Sequence, residues 1–233
     1  MSEQAVRLSK RMVELGLCSR READAYIEQG LVRVDGEVAA TLGCRVRPEQ
    51  RVELTGQAAA RHDGNISLLL HRPQEHDGAL HALIDAGSQA RDDASGFSFL
   101  PRHRQQLAGV GAVEDGYYGL AALTQDKKLL AKLAECEMEF LVQVDHAPTL
   151  DELHGLLHGM KLDGKPLRNY KASRQSDRQL RFVIHKPLPQ QLLRMCRQAD
   201  IEVEGIRCIR IGRIALGKLP AGQWRYLQSF ERF

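Results

Sequence analysis

The sequence lacks the short motifs by which many enzymes hold a cofactor. It has no glycine-rich lysine loop for nucleotide phosphates and no dinucleotide-binding glycine pattern. The closest histidine pair at helical spacing, His154 and His158, has no acidic or thiol partner at the distance that a zinc site needs. The five cysteines are scattered, so we interpret them as reduced and mostly buried. We therefore expect neither a cofactor nor a metal, and any reaction must use ordinary side chains.

Long apolar stretches are also missing. No run approaches the ~20 residues that span a bilayer, and the first residues have no apolar core of the kind found in secretion signals. These absences favour a globular protein of the cytoplasm that does not contact a membrane. A hydrophobic share of 43% in 233 residues is enough for a large domain with a small companion.

Positive charge is concentrated toward the C-terminus. Residues 164–233 contain 15 Lys and Arg against 5 Asp and Glu, whereas the rest of the chain contains 18 against 25. Such a basic segment is typical of proteins that bind the phosphate backbone of nucleic acids. A basic face that is merely solvated has the same composition, so charge alone does not decide between the two.

Near the N-terminus the sequence predicts two short helices and a hairpin. Ser19 and Glu22 have the spacing of a capping box, and Gly30 stands where a helix often ends. The second helix should therefore run over about residues 20–29. Asp35-Gly36 lies between two apolar segments and is a strong signal for a hairpin turn.

Two arginines occupy the first turn of this predicted second helix. Cations there oppose the helix dipole, at a cost of about 0.3–1 kcal/mol each. An RNA phosphate bound at the helix N-terminus would explain Arg20 and Arg21, with further cations from Arg7, Lys10 and Arg11. The alternative is a solvated face whose charge is offset by neighbouring carboxylates.

This N-terminal stretch resembles the alpha-L RNA-binding motif over roughly the first fifty-five residues. The resemblance implies RNA binding and adds Arg33, in the first hairpin strand, to the candidate contacts. Asp35 replaces the asparagine that the motif usually has before the hairpin glycine. The matching residues are Arg7-Leu8-Ser9-Lys10, Leu15-Gly16, Ser19-Arg20-Arg21-Glu22-Ala23, Gly30 and Val32-Arg33-Val34-Asp35-Gly36.

A polar stretch of small residues, TGQAAARHDGN at 55–65, has the composition of a linker. We predict a first domain over 1–58, a linker over 59–65 and a second domain over 66–233. The second domain mixes strand-like and helical segments, which indicates an α+β fold. The polar segment 88–106 is interpreted as a long surface loop without an assigned role. The strand-like segments are 66–71, 139–145 and 180–185, and the helical ones are 127–134 and 150–159.

The second domain resembles the catalytic domain of the RsuA-like branch of ribosomal RNA pseudouridine synthases. The resemblance implies a mixed, mainly antiparallel sheet with flanking helices, a structured RNA, ribosomal RNA in particular, as partner, and a monomer. The best-matching residues are Leu68-Leu69-Leu70-His71-Arg72-Pro73, Val203, Ile206, Arg210-Ile211-Gly212, Leu216-Gly217, Leu219, Gly222 and Trp224-Arg225-Tyr226-Leu227.

The family's catalytic loop matches residues 111–120, which read GAVEDGYYGL. Both glycines and the final leucine keep their positions. The essential aspartate of the family falls on Glu114, and Asp115 follows one step later. The family arginine is replaced by Ala112, and the threonine by Tyr117. The resemblance thus implies Glu114 or Asp115 as the central carboxylate of a reaction on a flipped-out uridine.

The other positions that the resemblance assigns to the uracil pocket have changed as well. Phe140 stands where the family has a tyrosine, and it keeps a ring that can stack on a base but lacks the hydroxyl. Gln190 and Leu193 match positions of a basic helix that includes the arginine partner of the carboxylate. From the same basic regions, Arg194 and Arg210 are predicted to contact RNA.

Three functions compete at this point. The changes at the carboxylate, tyrosine and arginine positions favour an RNA-binding protein of this family that has lost most or all catalysis. A working isomerase that uses Glu114 or Asp115 is the alternative, because each substitution alone is compatible with drift in an active enzyme. A module that binds an acidic protein through the basic C-terminal segment is the third.

Overall fold

The computed structural model describes residues 5–56, 58, 65–158, 160–167, 169–228 and 230–233. Of the predicted linker 59–65, only Asn65 belongs to the described residues. Contacts between residues divide the chain into two compact units. The first unit comprises Met1–Asn65 with Gly96–Gln105, and the second comprises Ile66–Ser95 with Gln106–Phe233.

The first unit contains two helices and two small antiparallel sheets. The elements are β1 (Val6–Arg7), α1 (Leu8–Glu14), α2 (Arg20–Glu28), β2 (Val32–Val34), β3 (Glu37–Val38), β4 (Arg45–Val46) and β5 (Val52–Leu54). In the larger sheet β2 lies between β3 and β5, and in the smaller one β1 pairs with β4.

Helix α2 begins and ends where local sequence signals predict. The Ser19 hydroxyl accepts the N–H of Glu22, and the Glu22 carboxylate accepts the N–H of Ser19 at 2.9 Å. The predicted capping box is therefore confirmed. The helix ends before Gly30, whose φ of +66° belongs to the left-handed region. Its apolar face packs on α1 and the strands to form the core of this unit.

The hairpin between β2 and β3 is confirmed, and it explains why an aspartate is tolerated at its turn. Asp35 and Gly36 both have positive φ, at +51° and +88°, as a type I′ turn requires. The Asp35 carboxylate accepts hydrogen bonds of 2.8 Å from the Gln50 side chain and the Arg51 N–H. These two bonds lower the pKa of Asp35, and they tie the turn to the chain before β5.

The second unit is built on a mixed sheet. The strands of the unit are β6 (Ser67–Arg72), β7 (Ala108–Gly111), β8 (Tyr117–Thr124), β9 (Glu137–Val144), β10 (Lys161–Leu162), β11 (Lys165–Pro166), β12 (Tyr170–Ser176), β13 (Gln179–His185), β14 (Val203–Ile211), β15 (Ile214–Ala215) and β16 (Trp224–Tyr226). The order of strands in the sheet is β12-β13-β9-β14-β8-β6-β16, with β7 added to β8 and β15 to β14. Among the described strand pairs, β14 and β8 run parallel, and the others are antiparallel.

Helices of this unit are short and amphipathic. The predicted α+β class is confirmed. The strands predicted at 66–71, 139–145 and 180–185 correspond to β6, β9 and β13, and the helix predicted at 127–134 is present. The last residue of the helix predicted at 150–159 lies outside the described residues. The helices are α3 (Lys127–Ala134), α4 (Leu150–Leu157) and α5 (Gln191–Gln198), with a 3-10 turn at Leu80–Leu83. No helix in the described ranges is long and apolar enough to cross a membrane.

The predicted surface loop 88–106 is corrected in part. It contains a 3-10 turn at Pro101–Arg104, and both Leu100 and His103 are 3% exposed. Burial of the histidine is possible because its Nδ1 accepts the Leu100 N–H at 3.2 Å. Residues 96–105 group with the first unit, although the predicted second domain ran without interruption over 66–233.

Candidate active site

A cavity of about 160 Å³ lies on one face of the second unit's sheet. It is bounded by β7, the loop before β8, strand β9 and the segment that leads into α5. Most of its wall is apolar, including Met138, Phe140, Ile184 and Leu192. The polar side chains in the wall are those of Glu114, Tyr117 and Gln191, and the described lining contains no lysine or arginine.

The Glu114 side chain is held by the start of helix α5. Its Oε2 accepts the backbone N–H of Gln190 at 2.8 Å. Gln190 is the N-cap of α5 and has a left-handed φ of +53°. Free N–H groups and the helix dipole make such a terminus favourable for an anion. Glu114 therefore supplies, from a distant loop, the negative charge that the first turn of α5 itself lacks.

Tyr117 lies beside the same helix terminus. Its side chain lines the cavity together with Glu114 and with Leu192, which belongs to the first turn of α5. Burial raises the pKa of this phenol far above its usual range, and the nearby Glu114 charge raises it further. Tyr117 is thus a neutral partner of the helix at neutral pH, where the resemblance would place a threonine.

The ring of Phe140 forms part of the cavity wall, and Tyr117 meets it edge-on. The ring centroids are 5.9 Å apart with planes at 90°, a favourable aromatic arrangement. Phe140 is 2% exposed and Tyr117 is 6% exposed. One edge of the predicted stacking residue is therefore already covered by a side chain of the protein.

Asp115 is placed differently from its neighbour. Its side chain is fully exposed and does not line the cavity; the nearest cation is the Arg72 guanidinium at 4.0 Å. The one-residue step turns its side chain to solvent while Glu114 points to the helix. Of the two candidate carboxylates, Glu114 alone reaches the cavity.

Arg72 was not singled out from the sequence, yet it organises this loop. Its guanidinium is 3% exposed and donates to the carbonyl oxygens of Glu114, at 2.7 Å, and of His76, at 3.0 Å. It fixes the backbone of the loop, whereas the Glu114 carboxylate is bound by a peptide N–H. A charged residue that ends an apolar strand before Pro73 was the signal available in the sequence.

The remaining predicted pocket residues do not meet at one place. Gln190 takes part through its backbone N–H. Leu193 lines a second, open hollow together with Arg197, Asp200 and residues 201–203. The cavity therefore brings together Glu114 and Phe140. Gln190 does not line it and is linked to it only through the bond from its N–H to Glu114, and Leu193 lies elsewhere.

Predicted RNA-contact residues of the second unit are engaged in ion pairs. The Arg194 guanidinium lies 2.5 Å from the Asp163 carboxylate. Arg210 contacts Glu137 at 2.7 Å and Glu139 at 2.9 Å. Within the described residues both arginines thus have carboxylate partners, which weakens the case for a phosphate at these positions.

In the first unit the predicted cations are mostly open to solvent. Arg11 is the exception, since it is half-buried and donates to the Pro48 carbonyl at 2.8 Å. Lys10 is 68% exposed and lies 3.7 Å from Glu14. Within the described ranges, the exposed predicted contacts without such partners are Arg7, Arg20, Arg21 and Arg33. No cluster of metal-ligating side chains occurs in the described part of the chain.

Comparison with known proteins defines the class to which this fold and cavity belong. Residues 6–52 match the S4 domain family, which confirms the predicted alpha-L motif. A crystal structure of a pseudouridylate synthase superimposes with a TM-score of 0.57 over 96% of each chain, at 19% sequence identity. That likeness shows the fold alone.

The sequence relatives are closer. The dual-specificity RNA pseudouridine synthase RluF of Escherichia coli strain K12 is 30% identical over 236 aligned residues, which cover 99% of this chain and 78% of that protein. The ribosomal large subunit pseudouridine synthase B of Bacillus subtilis is 26% identical and covered to 93%. The chain belongs to the family of RNA pseudouridine synthases that carry an N-terminal S4 domain.

Proposed function

We propose that this protein binds structured RNA, ribosomal RNA in particular, and that its cavity supports little or no isomerisation of uridine. The observation that carries the proposal is the Glu114 carboxylate, which caps helix α5 at 2.8 Å from the Gln190 N–H. The resemblance implies an aspartate paired with an arginine at this place. Here the carboxylate is one methylene longer, and the described cavity wall contains no basic side chain.

These differences act on the chemistry of the reaction. The family reaction breaks the bond between uracil and ribose and rejoins the base through carbon, with the carboxylate as the central group. A carboxylate displaced by about 1 Å can cost roughly 100-fold in rate. One oxygen of the Glu114 carboxylate is bound by the Gln190 N–H, and this hydrogen bond competes with any reaction of the carboxylate at a bound base.

The cavity itself remains suited to a planar ring. Its volume of about 160 Å³ is close to that of an engineered cavity of about 150 Å³ that binds benzene. Phe140 offers an aromatic surface within it. We infer that a flipped-out pyrimidine can be held there without being converted.

The S4 domain is the main RNA-binding element of the proposal. Arg20 and Arg21 lie in the first turn of α2 and are exposed, where the helix terminus and two guanidinium groups can share one phosphate. Ribosomal RNA is proposed because the printed name of the Bacillus subtilis relative assigns it to the large ribosomal subunit. By family resemblance we propose a monomer that acts in the cytoplasm.

The first experiment is pseudouridine mapping of ribosomal and transfer RNA at nucleotide resolution in cells with and without the gene. The proposal expects identical maps, together with RNA binding by the purified protein that weakens steeply as salt rises. A site that disappears on deletion, and returns with the wild type but not with Glu114→Ala, would establish a working isomerase instead. Absence of RNA binding at physiological salt would overturn the proposal altogether.

A further inference from the structure

The sheet of the second unit has a second face, opposite the cavity, on which a different group of side chains lies. Adjacent residues of a strand point to opposite faces. Phe140 lines the cavity, so Leu141 points away from it, and Arg207 pairs directly with Leu141. Tyr118 pairs with Arg207 across the parallel β8–β14 ladder and shares its face, while Tyr117 contacts Phe140 on the cavity side.

Arg207 stands out on this face because its charge has no partner among the described residues. Its Nε is buried and makes no hydrogen bond, and no carboxylate lies within ion-pair distance. Nearby on the same face, Arg181 and Arg210 share the Glu139 carboxylate at 2.6 and 2.9 Å. An unpaired arginine with a buried nitrogen is costly unless something else binds it.

Two polar side chains, those of Gln74 and Tyr118, lie near Arg207 on this face. A Cβ on Gly205 would lie 3.2 Å from the Gln74 amide nitrogen and 3.2 Å from the Tyr118 ring, so both side chains lie over this glycine. Neither side chain has a hydrogen-bond partner within the described part of the chain. The Arg207 side chain itself lies against Gly119, where a Cβ would come within 3.0 Å of its Cγ.

The one neighbouring histidine does not add charge to the group. The His71 Nδ1 lies 2.7 Å from the Leu219 carbonyl oxygen and therefore carries the proton. Burial lowers the pKa of His71, and the charge of Arg207 acts in the same direction. Among the described residues of this face, Arg207 is thus a cation without a carboxylate partner that lies beside two neutral donors, Gln74 and Tyr118.

We propose that Arg207, Gln74 and Tyr118 bind a phosphodiester group of an RNA strand on the sheet face opposite the cavity. A guanidinium fork fits two phosphate oxygens, and amide and phenol groups are ordinary donors to the RNA backbone. The inference rests on the proposed RNA-binding function.

The test compares Arg207→Gln with a charge-matched control, Arg178→Gln. Arg178 is exposed and pairs with Glu204 at 2.8 Å, so its removal changes the net charge equally without touching the site. Binding of the full-length proteins to deproteinised bacterial ribosomal RNA is measured by filter retention over a series of salt concentrations. We expect Arg207→Gln to weaken binding by about ten-fold and to reduce the log–log salt slope by about 0.7–0.9, while Arg178→Gln keeps the wild-type slope.

A second variant guards against misfolding of the first. Gln74 is exposed, so Gln74→Glu leaves the fold intact and places a carboxylate beside Arg207; it should weaken binding as Arg207→Gln does. Equal slopes for wild type, Gln74→Glu and Arg178→Gln would overturn the site while leaving the proposed function in place. A wild-type protein that fails to bind the RNA would overturn both. If free inorganic phosphate at millimolar concentration competes as well as RNA does, the site binds an isolated anion and the proposal for an RNA strand is wrong.

Discussion

The backbone N–H of Gln190 donates a hydrogen bond to the Glu114 carboxylate at 2.8 Å, although 76 residues separate the two in sequence. The acceptor of an N-cap N–H normally belongs to the third residue of the same helix, as in a capping box. Here the N-cap Gln190 makes no side-chain cap, and the loop before β8 supplies the acceptor instead. The residue at the position of the family's catalytic aspartate therefore has a structural task.

Glu114→Ala should destabilise the second unit while leaving RNA binding unchanged. Loss of a helix cap costs about 0.5–2 kcal/mol, and the Gln190 N–H would lose its acceptor. The control is Asp115→Ala, whose side chain is fully exposed and whose loss should stay within about 0.5 kcal/mol. The free energy of unfolding is measured with urea. Equal stability of the two variants would contradict a capping role for Glu114.

Local elements of this fold were predictable because their signals are local. Helix α2 with its Ser19–Glu22 capping box and the turn at Asp35-Gly36 follow from residues within a few positions of each other. The opening strand β6 follows from a short apolar run. The S4 match and the family membership rest on motifs of the same local kind.

Long-range relationships could not be predicted in this way. The parallel pairing of β14 with β8 and the contact of Arg72 with the Glu114 carbonyl, 42 residues away, depend on how the chain closes in space. The same holds for Leu193, whose helical position was known but whose hollow forms with residues 200–203. Side-chain direction at Asp115, one step from Glu114, is set by the loop backbone and not by residue type.

Removing both arginines from the first turn of α2 should weaken RNA binding without unfolding the first unit. Arg20→Gln combined with Arg21→Gln removes two exposed cations, and each lost phosphate contact lowers the salt slope by about 0.7–0.9. The Ser19–Glu22 cap remains, and the helix dipole no longer opposes two cations. Arg51→Gln serves as control because Arg51 already pairs with Glu53 at 2.6 Å. If the double variant keeps the wild-type slope, α2 is not the phosphate site.

The ion pairs around Glu139 should make stability depend on acid pH. Hydrogen bonds from Arg181 and Arg210, with their charges, lower the pKa of this carboxyl despite its burial; Glu137 faces the same Arg210. A lowered folded-state pKa gives stability that is present above the unfolded value, about 4.3, and is lost as the pH falls through the folded value. The free energy of unfolding is measured with urea from neutral pH down to about 3. At neutral pH, Glu139→Gln should be less stable than the wild type by roughly 1–3 kcal/mol. Its free energy of unfolding should also fall less steeply than that of the wild type as the pH is lowered. A parallel pair of curves would show that these arginines do not stabilise the folded state through Glu139.

The two glycines at the ends of the loop that carries Glu114 should respond very differently to alanine. Gly111 has φ of +89°, and a Cβ there would lie 2.4 Å from the Leu120 carbonyl oxygen and 2.7 Å from the Ile211 side chain. Gly116 has φ of +79° with nothing within 4 Å of an added Cβ. Gly116→Ala should therefore cost only the left-handed conformation, about 1–2 kcal/mol.

Gly111→Ala has the same cost for the left-handed backbone conformation, and it must also displace a neighbouring strand. Close backbone contacts cannot relax as a flexible side chain can, so its loss of unfolding free energy should exceed that of Gly116→Ala by several kcal/mol. Both variants are compared by urea unfolding, with the second unit's tyrosines and Trp224 as fluorescent probes. Equal losses would mean that β7 shifts away from β8 at little cost, and the loop would then be free to place Glu114 differently from the position that caps α5.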